Sequence, residues 1–208
     1  MELAELDERD FKDLKDHLNK PNIPIKKSKN GVTKQFGIVR KRAEAPDLSA
    51  DSWKDARLYY LLMRFAREHI NIPFTSVQIS DSKTYVKHSE GNCYIVSFGS
   101  YMDGELVIDT KEYNIRHRPM IFDISKMEDK YFSKEYSGNR WTLIYYSLKA
   151  HKKFPITKSL LEYESITRDG EYVIAWYKEG ESVQYLSKKS GLQHITKSKK
   201  KKGSNLII

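Results

Sequence analysis

The stretches HSEGNCYIVSFGSYMDGELVI (88–108), YNIRHRPMIFDISKMED (113–129) and SGNRWTLIYYS (137–147) decide how this chain folds. Apolar and polar residues alternate in them with a period of two, the repeat of a strand buried on one face. The same period begins at Phe74. It gives strand candidates at Thr75–Ile79, Thr84–Lys87, Cys93–Phe98, Glu105–Ile108, Tyr113–Arg116, Met120–Phe122 and Trp141–Tyr146. Turn-forming residues separate them: Asp81-Ser82, Glu90-Gly91-Asn92, Asp103-Gly104 and Ser137-Gly138-Asn139. Many short strands at regular spacing predict a barrel or sandwich.

The flanks read differently. Leu3, Leu6, Phe11, Leu14 and Leu18 fall on one stripe of a predicted helix over 3–18, which Asn19, Pro21, Asn22 and Pro24 stop. Residues 26–35 are Lys-rich and read as a loop, and Phe36–Val39 as a short strand. A second helix is predicted over 52–70, with Trp53, Ala56, Tyr60, Met63 and Ile70 roughly on one face and Asp51 or Ser52 as its cap. After Pro155, Leu160–Ile166, Glu171–Tyr177 and Ser182–Leu186 alternate around Asp169-Gly170 and Glu179-Gly180, the pattern of a three-stranded meander. The expected organisation is an N-terminal helix and basic loop (1–34), a β domain (35–150), a β-meander extension (155–190) and a disordered basic tail (191–208).

A chain of 208 residues can bury a real core. Its 14 tyrosines suit strands, and suit places where a ring is buried and its hydroxyl stays wet. No apolar run approaches the ~20 residues that span a bilayer, and the acidic N-terminus lacks the pattern of a signal peptide. The single Cys93 forms no internal disulfide and reads as a small core residue. The expectation is an intracellular protein (cytoplasm or nucleus) with no membrane partner. The net charge of +9 is unevenly spread: residues 187–208 hold seven Lys and no acid, and Lys20–Arg42 holds eight basic residues and no acid. Such runs read as solvated segments or as sequence-independent attraction to nucleic acid through 20–42 and 187–202.

Two residue pairs carry chemistry. His88-Ser89-Glu90 puts an imidazole and a carboxylate at i and i+2, on one side of a strand rim, as two ligands of a divalent metal. His88 and Glu90 also read as ordinary residues beside a turn. Arg140-Trp141-Thr142 puts a cation and a hydroxyl at i and i+2, able to hold a carboxylate together. A structural ion pair is the other reading of Arg140. His117, between Arg116 and Arg118, reads as exposed, and His69 as the charged end of a helix. A Gly-rich phosphate loop, a Cys cluster and a nucleophile elbow are all absent from the sequence.

Five pieces in order resemble one family: Phe74-Thr75-Ser76-Val77-Gln78, His88-Ser89-Glu90, Gly99-Ser100-Tyr101-Met102-Asp103-Gly104-Glu105-Leu106, Phe122-Asp123-Ile124 and Gly138-Asn139-Arg140-Trp141. Together with Phe36-Gly37-Ile38-Val39 they are similar to the 2-oxoglutarate/Fe(II)-dependent dioxygenases, in particular small viral and algal members, over about residues 35–148. The resemblance implies a mainly β protein with flanking helices, built on a double-stranded β-helix (jelly roll). It also implies Fe(II) and 2-oxoglutarate as cofactors, with Arg140 and Thr142 on the cosubstrate and His88 and Glu90 on the metal. The chain departs from the family at three points, one of them a shortened loop after Glu90. Glu90 stands where Asp is usual. The distal His is missing, since no His occurs between His117 and His151, and Asp129 stands nearest its place as the candidate third metal ligand beside His88 and Glu90. Three readings follow: a catalytically degenerate jelly roll that binds a ligand or protein partner and needs no cofactor, an active hydroxylase of a protein or nucleic acid, and a basic nucleic-acid-associated protein.

Overall fold

Alternation becomes pairing where neighbouring strands match their apolar faces. The computed structural model describes residues 1–20, 33–39, 47–81, 89–124 and 131–149, together with backbone strands at 163–168, 171–178, 182–187 and 191–196. The predicted strand at Thr84–Lys87 lies outside the described residues. The elements are a 3-10 turn at Glu8–Phe11, α1 (Lys12–Leu18), β1 (Thr33–Val39), β2 (Asp47–Leu48), α2 (Ala50–Lys54), α3 (Ala56–His69), β3 (Ser76–Ser80), β4 (Ser89–Asp103), β5 (Leu106–Ile108), β6 (Lys111–Tyr113), β7 (Met120–Asp123), β8 (Tyr131–Ser133) and β9 (Tyr136–Leu148). The C-terminal region adds β10 (Tyr163–Arg168), β11 (Glu171–Lys178), β12 (Ser182–Ser187) and β13 (Gly191–Thr196). The protein is mainly β, as the alternation predicted, and its named strands pair antiparallel.

Among the described residues three sheets form: β2-β1-β3-β9-β4-β7, β6-β5-β8, and β10-β11-β12-β13. The two faces of the first are chemically unlike. Opposed residues of an antiparallel pair point the same way. One face therefore carries Val77, Ile79, Tyr94, Val96, Phe98, Leu143 and Tyr145, all buried. Helices cover this face: Phe11 stacks on Phe98 at 4.9 Å, and the Tyr145 hydroxyl donates to the Leu62 carbonyl of α3 at 2.9 Å. The other face carries Ser76, Gln78, Ser80, Ser97, Arg140 and Thr142, also buried, beside Ile95 and Ile144. It looks toward the second sheet, where Phe122 of β7 meets Tyr131 of β8 edge-on at 5.5 Å.

Several boundaries differ from the sequence reading. The first helix starts only after Asp7, because Asp7 and Asp10 form a reciprocal capping box there. Residues 1–6 instead run beside β7: Leu3 N–H donates to the Pro119 carbonyl, and Glu2 bridges Met120. The second predicted helix is two helices, broken at Asp55, whose carboxylate caps Leu58 N–H at 3.1 Å. Ser49, not Asp51 or Ser52, caps the earlier one. The stretch 106–113 is a tight hairpin, turning through Asp109 at φ 55°, so the strand predicted at Tyr113–Arg116 sits earlier, at Lys111–Tyr113. β4 and β9 run much longer than predicted. Gly99 (φ 118°) and Gly138 (φ 104°) lie where the two backbones press together, and a Cβ at Gly99 would overlap the Asn139 carbonyl oxygen. The meander has a fourth strand, β13, in a segment assigned above to the tail. Residues 197–208 lie outside the described residues.

Candidate anion site on the inner face of the sheet

The polar inner face converges on Arg140. β9 presents Arg140 and Thr142 on the same side, two residues apart, and Gly99 of β4 lies directly opposite Arg140. The guanidinium is 2 % exposed. Its Nε donates to Thr142 Oγ1 at 3.1 Å, Nη1 to the Gly104 carbonyl at 3.0 Å, and Nη2 to Ser133 Oγ at 2.9 Å. Tyr101 and Tyr136 face it with ring centroids 5.5 and 5.1 Å from Cζ. Gly104 (φ 81°) is required twice over: its backbone is left-handed, and a Cβ there would crowd both Nη1 and Tyr136.

The electrostatics are unusual for an arginine. Every hydrogen-bond acceptor is neutral, and among the described residues no carboxylate lies within ion-pair distance of it. Burial lowers its pKa, opposed by the hydroxyls of Tyr101 and Tyr136 and the charge of Glu105. A guanidinium has five N–H groups. Three are taken here, which leaves two with no acceptor among the described residues. Burial raises Tyr101, and a 2.6 Å bond with Ser97 together with the nearby cations draws it back. Tyr136 is raised by burial, and its hydroxyl donates to the Asp81 carbonyl, tying β9 to the end of β3.

The predicted pair Arg140 and Thr142 is thus brought together, by a hydrogen bond between them rather than by a shared ion pair. Glu90 is on β4 opposite Ser147. Arg140 is seven residues earlier on β9, which at about 3.3 Å per residue separates the two backbones by roughly 23 Å along the strand. Two of the three acceptors of Arg140, Gly104 and Ser133, lie at the end of the sheet away from Glu90. The structure therefore does not gather Glu90 to the arginine. His88 and Asp129 lie outside the described residues. Among the described residues no group of three or more His, Cys, Asp or Glu is placed to hold a metal ion. Cys93 is buried in the core, as expected, and burial raises its thiol pKa.

His117 corrects the sequence reading. It is half-buried, not exposed, because its own N–H donates to the Ser97 carbonyl and the adjoining Arg116 bridges Ser97 of β4, which holds the segment against the sheet. At φ 56° its ring turns onto Phe11, 5.0 Å away, on the helix-covered face. His69 ends α3 with its ring against Phe65 at 4.7 Å.

Sequence reading missed Tyr101, Tyr136, Ser133 and Arg116. Tyr101 was visible as a partner, since it stands two residues from Gly99 on a strand whose alternate positions share a face. Ser133 and Arg116 had no signal, because each reaches the site from a different strand or bridge. No family model matches the chain, and no curated protein matches it. No helix among the described residues is long and apolar enough to cross a membrane.

Proposed function

We propose that the chain is a jelly-roll protein of the 2-oxoglutarate/Fe(II)-dioxygenase type that keeps a carboxylate-binding cation and acts as a binding module without iron turnover. The jelly-roll reading is supported by strand order. β3, β9, β4 and β7 are neighbours in one sheet and β8, β5 and β6 in another, so the chain crosses between sheets after β4, β6, β7 and β8. Alternation of this kind is how two Greek keys fold into paired sheets.

One observation carries the binding role: the buried Arg140 guanidinium with only neutral partners among the described residues. A desolvated charge costs several kcal/mol unless an opposite charge offsets it. A ligand carboxylate supplies that charge and takes the two remaining N–H groups. Binding is favoured over turnover by the missing distal His, by Glu90 in place of Asp, and by the separation of Glu90 from Arg140 along the sheet.

The test is calorimetric titration of 2-oxoglutarate into the full chain and into Arg140→Met, with and without Mn(II). The proposal expects binding that needs no metal and is lost in the variant. Binding that requires metal, together with succinate and CO2 formation under Fe(II) and oxygen, would make the protein an active oxygenase instead. Equal binding by Arg140→Met would remove the arginine from the site.

A further inference from the structure

A second arginine reaches the same place from the other side of β4. Residues 115–117 lie beside β4 as a short parallel bridge: Ser97 N–H donates to the Ile115 carbonyl, and His117 N–H donates to the Ser97 carbonyl, both at 2.9 Å. Bridged residues point to one face, so Arg116 projects on the side of Ser97, the inner, polar face. Its Nη1 donates to the Tyr101 carbonyl at 3.2 Å, and its Cζ lies 5.5 Å from the Tyr101 ring centroid.

Arg140 stands at the same 5.5 Å from that ring, from the neighbouring strand on the opposite side. Between them β4 contributes Ser97, Gly99 and Tyr101 on the same face, and the Tyr101 ring, its hydroxyl 2.6 Å from Ser97 Oγ, lies over Gly99 with one arginine near it on each side. The two guanidinium carbons can be no farther apart than twice their distance to the shared ring. One is buried and one is exposed, and neither has a carboxylate within ion-pair distance among the described residues. Two cations held near one tyrosine repel each other unless negative charge lies by both.

We infer that Arg116 is a second anchor of the Arg140 site and that the ligand is a short aliphatic dicarboxylate, one carboxylate on the inner arginine and the other on the rim arginine. The inference rests on the carboxylate-binding reading of Arg140. It assigns the outer carboxylate to a side chain of the protein, with no metal involved. Arg116 also sets specificity, because a monocarboxylate on Arg140 leaves the outer cation without its partner.

The test compares glutarate with butyrate by calorimetry on the full chain, for wild type, Arg116→Gln and Arg116→Lys. Arg116 is exposed and its one hydrogen bond is to a backbone carbonyl, so a matched thermal melt checks that Arg116→Gln folds. A charge-assisted pair sets the expected preference of wild type for glutarate at about tenfold. Arg116→Gln should erase that preference by weakening glutarate alone, and Arg116→Lys should keep most of it. If Arg116→Gln keeps the full preference, or wild type binds the two acids equally, the Arg116 assignment is wrong while the Arg140 reading stands. If wild type binds neither acid, both fall.

Discussion

Replacing Arg140 by methionine separates a ligand cation from a structural strut, because the two roles have opposite stability signatures. On the losing side stand three hydrogen bonds from a charged donor and two ring contacts. Such bonds contribute about 1.5–3 kcal/mol each at most, and each cation–ring contact about 1 kcal/mol. Much of that is recoverable. The hydroxyls of Thr142 and Ser133 can rotate to other acceptors, so the Gly104 carbonyl is the one group left without an obvious partner, at about 1–3 kcal/mol. On the gaining side, methionine relieves the desolvation of a guanidinium only 2 % exposed, a penalty of several kcal/mol. Methionine also fills an irregular gap without a polar group. The opposing terms nearly cancel, and the unfolding free energy of Arg140→Met should stay within about 2 kcal/mol of wild type. Urea denaturation followed by tryptophan fluorescence measures this, provided the slope of the transition is unchanged. In parallel, excess glutarate should raise the melting temperature of wild type and not of the variant. A loss above about 4 kcal/mol would show that the guanidinium is a net stabiliser of the empty fold. The argument from an uncompensated charge would then be refuted.

Three further outcomes follow from the same geometry. Gly99→Ala should destabilise by more than about 3 kcal/mol, from left-handed strain plus overlap with Asn139, whereas Gly91→Ala, at φ 70° with open space around it, should cost only about 1–2 kcal/mol. Paired urea titrations read the difference, and equal losses would mean the β4–β9 contact is looser than described. Asp55→Ala removes the α3 cap and the acceptor of His17 Nε2 at 2.9 Å and of Lys34 at 3.4 Å, so circular dichroism melts should show a loss of about 2–4 kcal/mol. Burial and the charge of Arg116 hold His117 below its ordinary value of 6.5, so the unfolded chain takes up that proton first. Stability contributed by neutral His117 is complete above that value and is lost as pH falls through it toward the folded value. His117→Gln should flatten the stability profile in that window, and an unchanged slope would assign it to other groups.

Sequence alone determined that this is a mainly β protein, because a period of two is a property of consecutive residues; that the strands pair antiparallel came from the structure. It marked Arg140 and Thr142 as a pair for the same reason: residues i and i+2 on a strand share a face wherever that strand is packed. Glycine positions were visible, but their meaning was not. Gly138 reads as a turn residue, yet it and Gly99 let β4 and β9 stay paired past a close backbone approach, which depends on the partner strand. The helix break at Asp55 was hidden because the apolar stripe runs through it, while the capping carboxylate is held by His17 and Lys34 from elsewhere. Only the tertiary structure decided which face of the sheet is polar, that the acceptors of Arg140 are uncharged, and that Arg116 meets it across Tyr101. Charge compensation is a sum over neighbours in space, and those neighbours come from four separate segments of the chain.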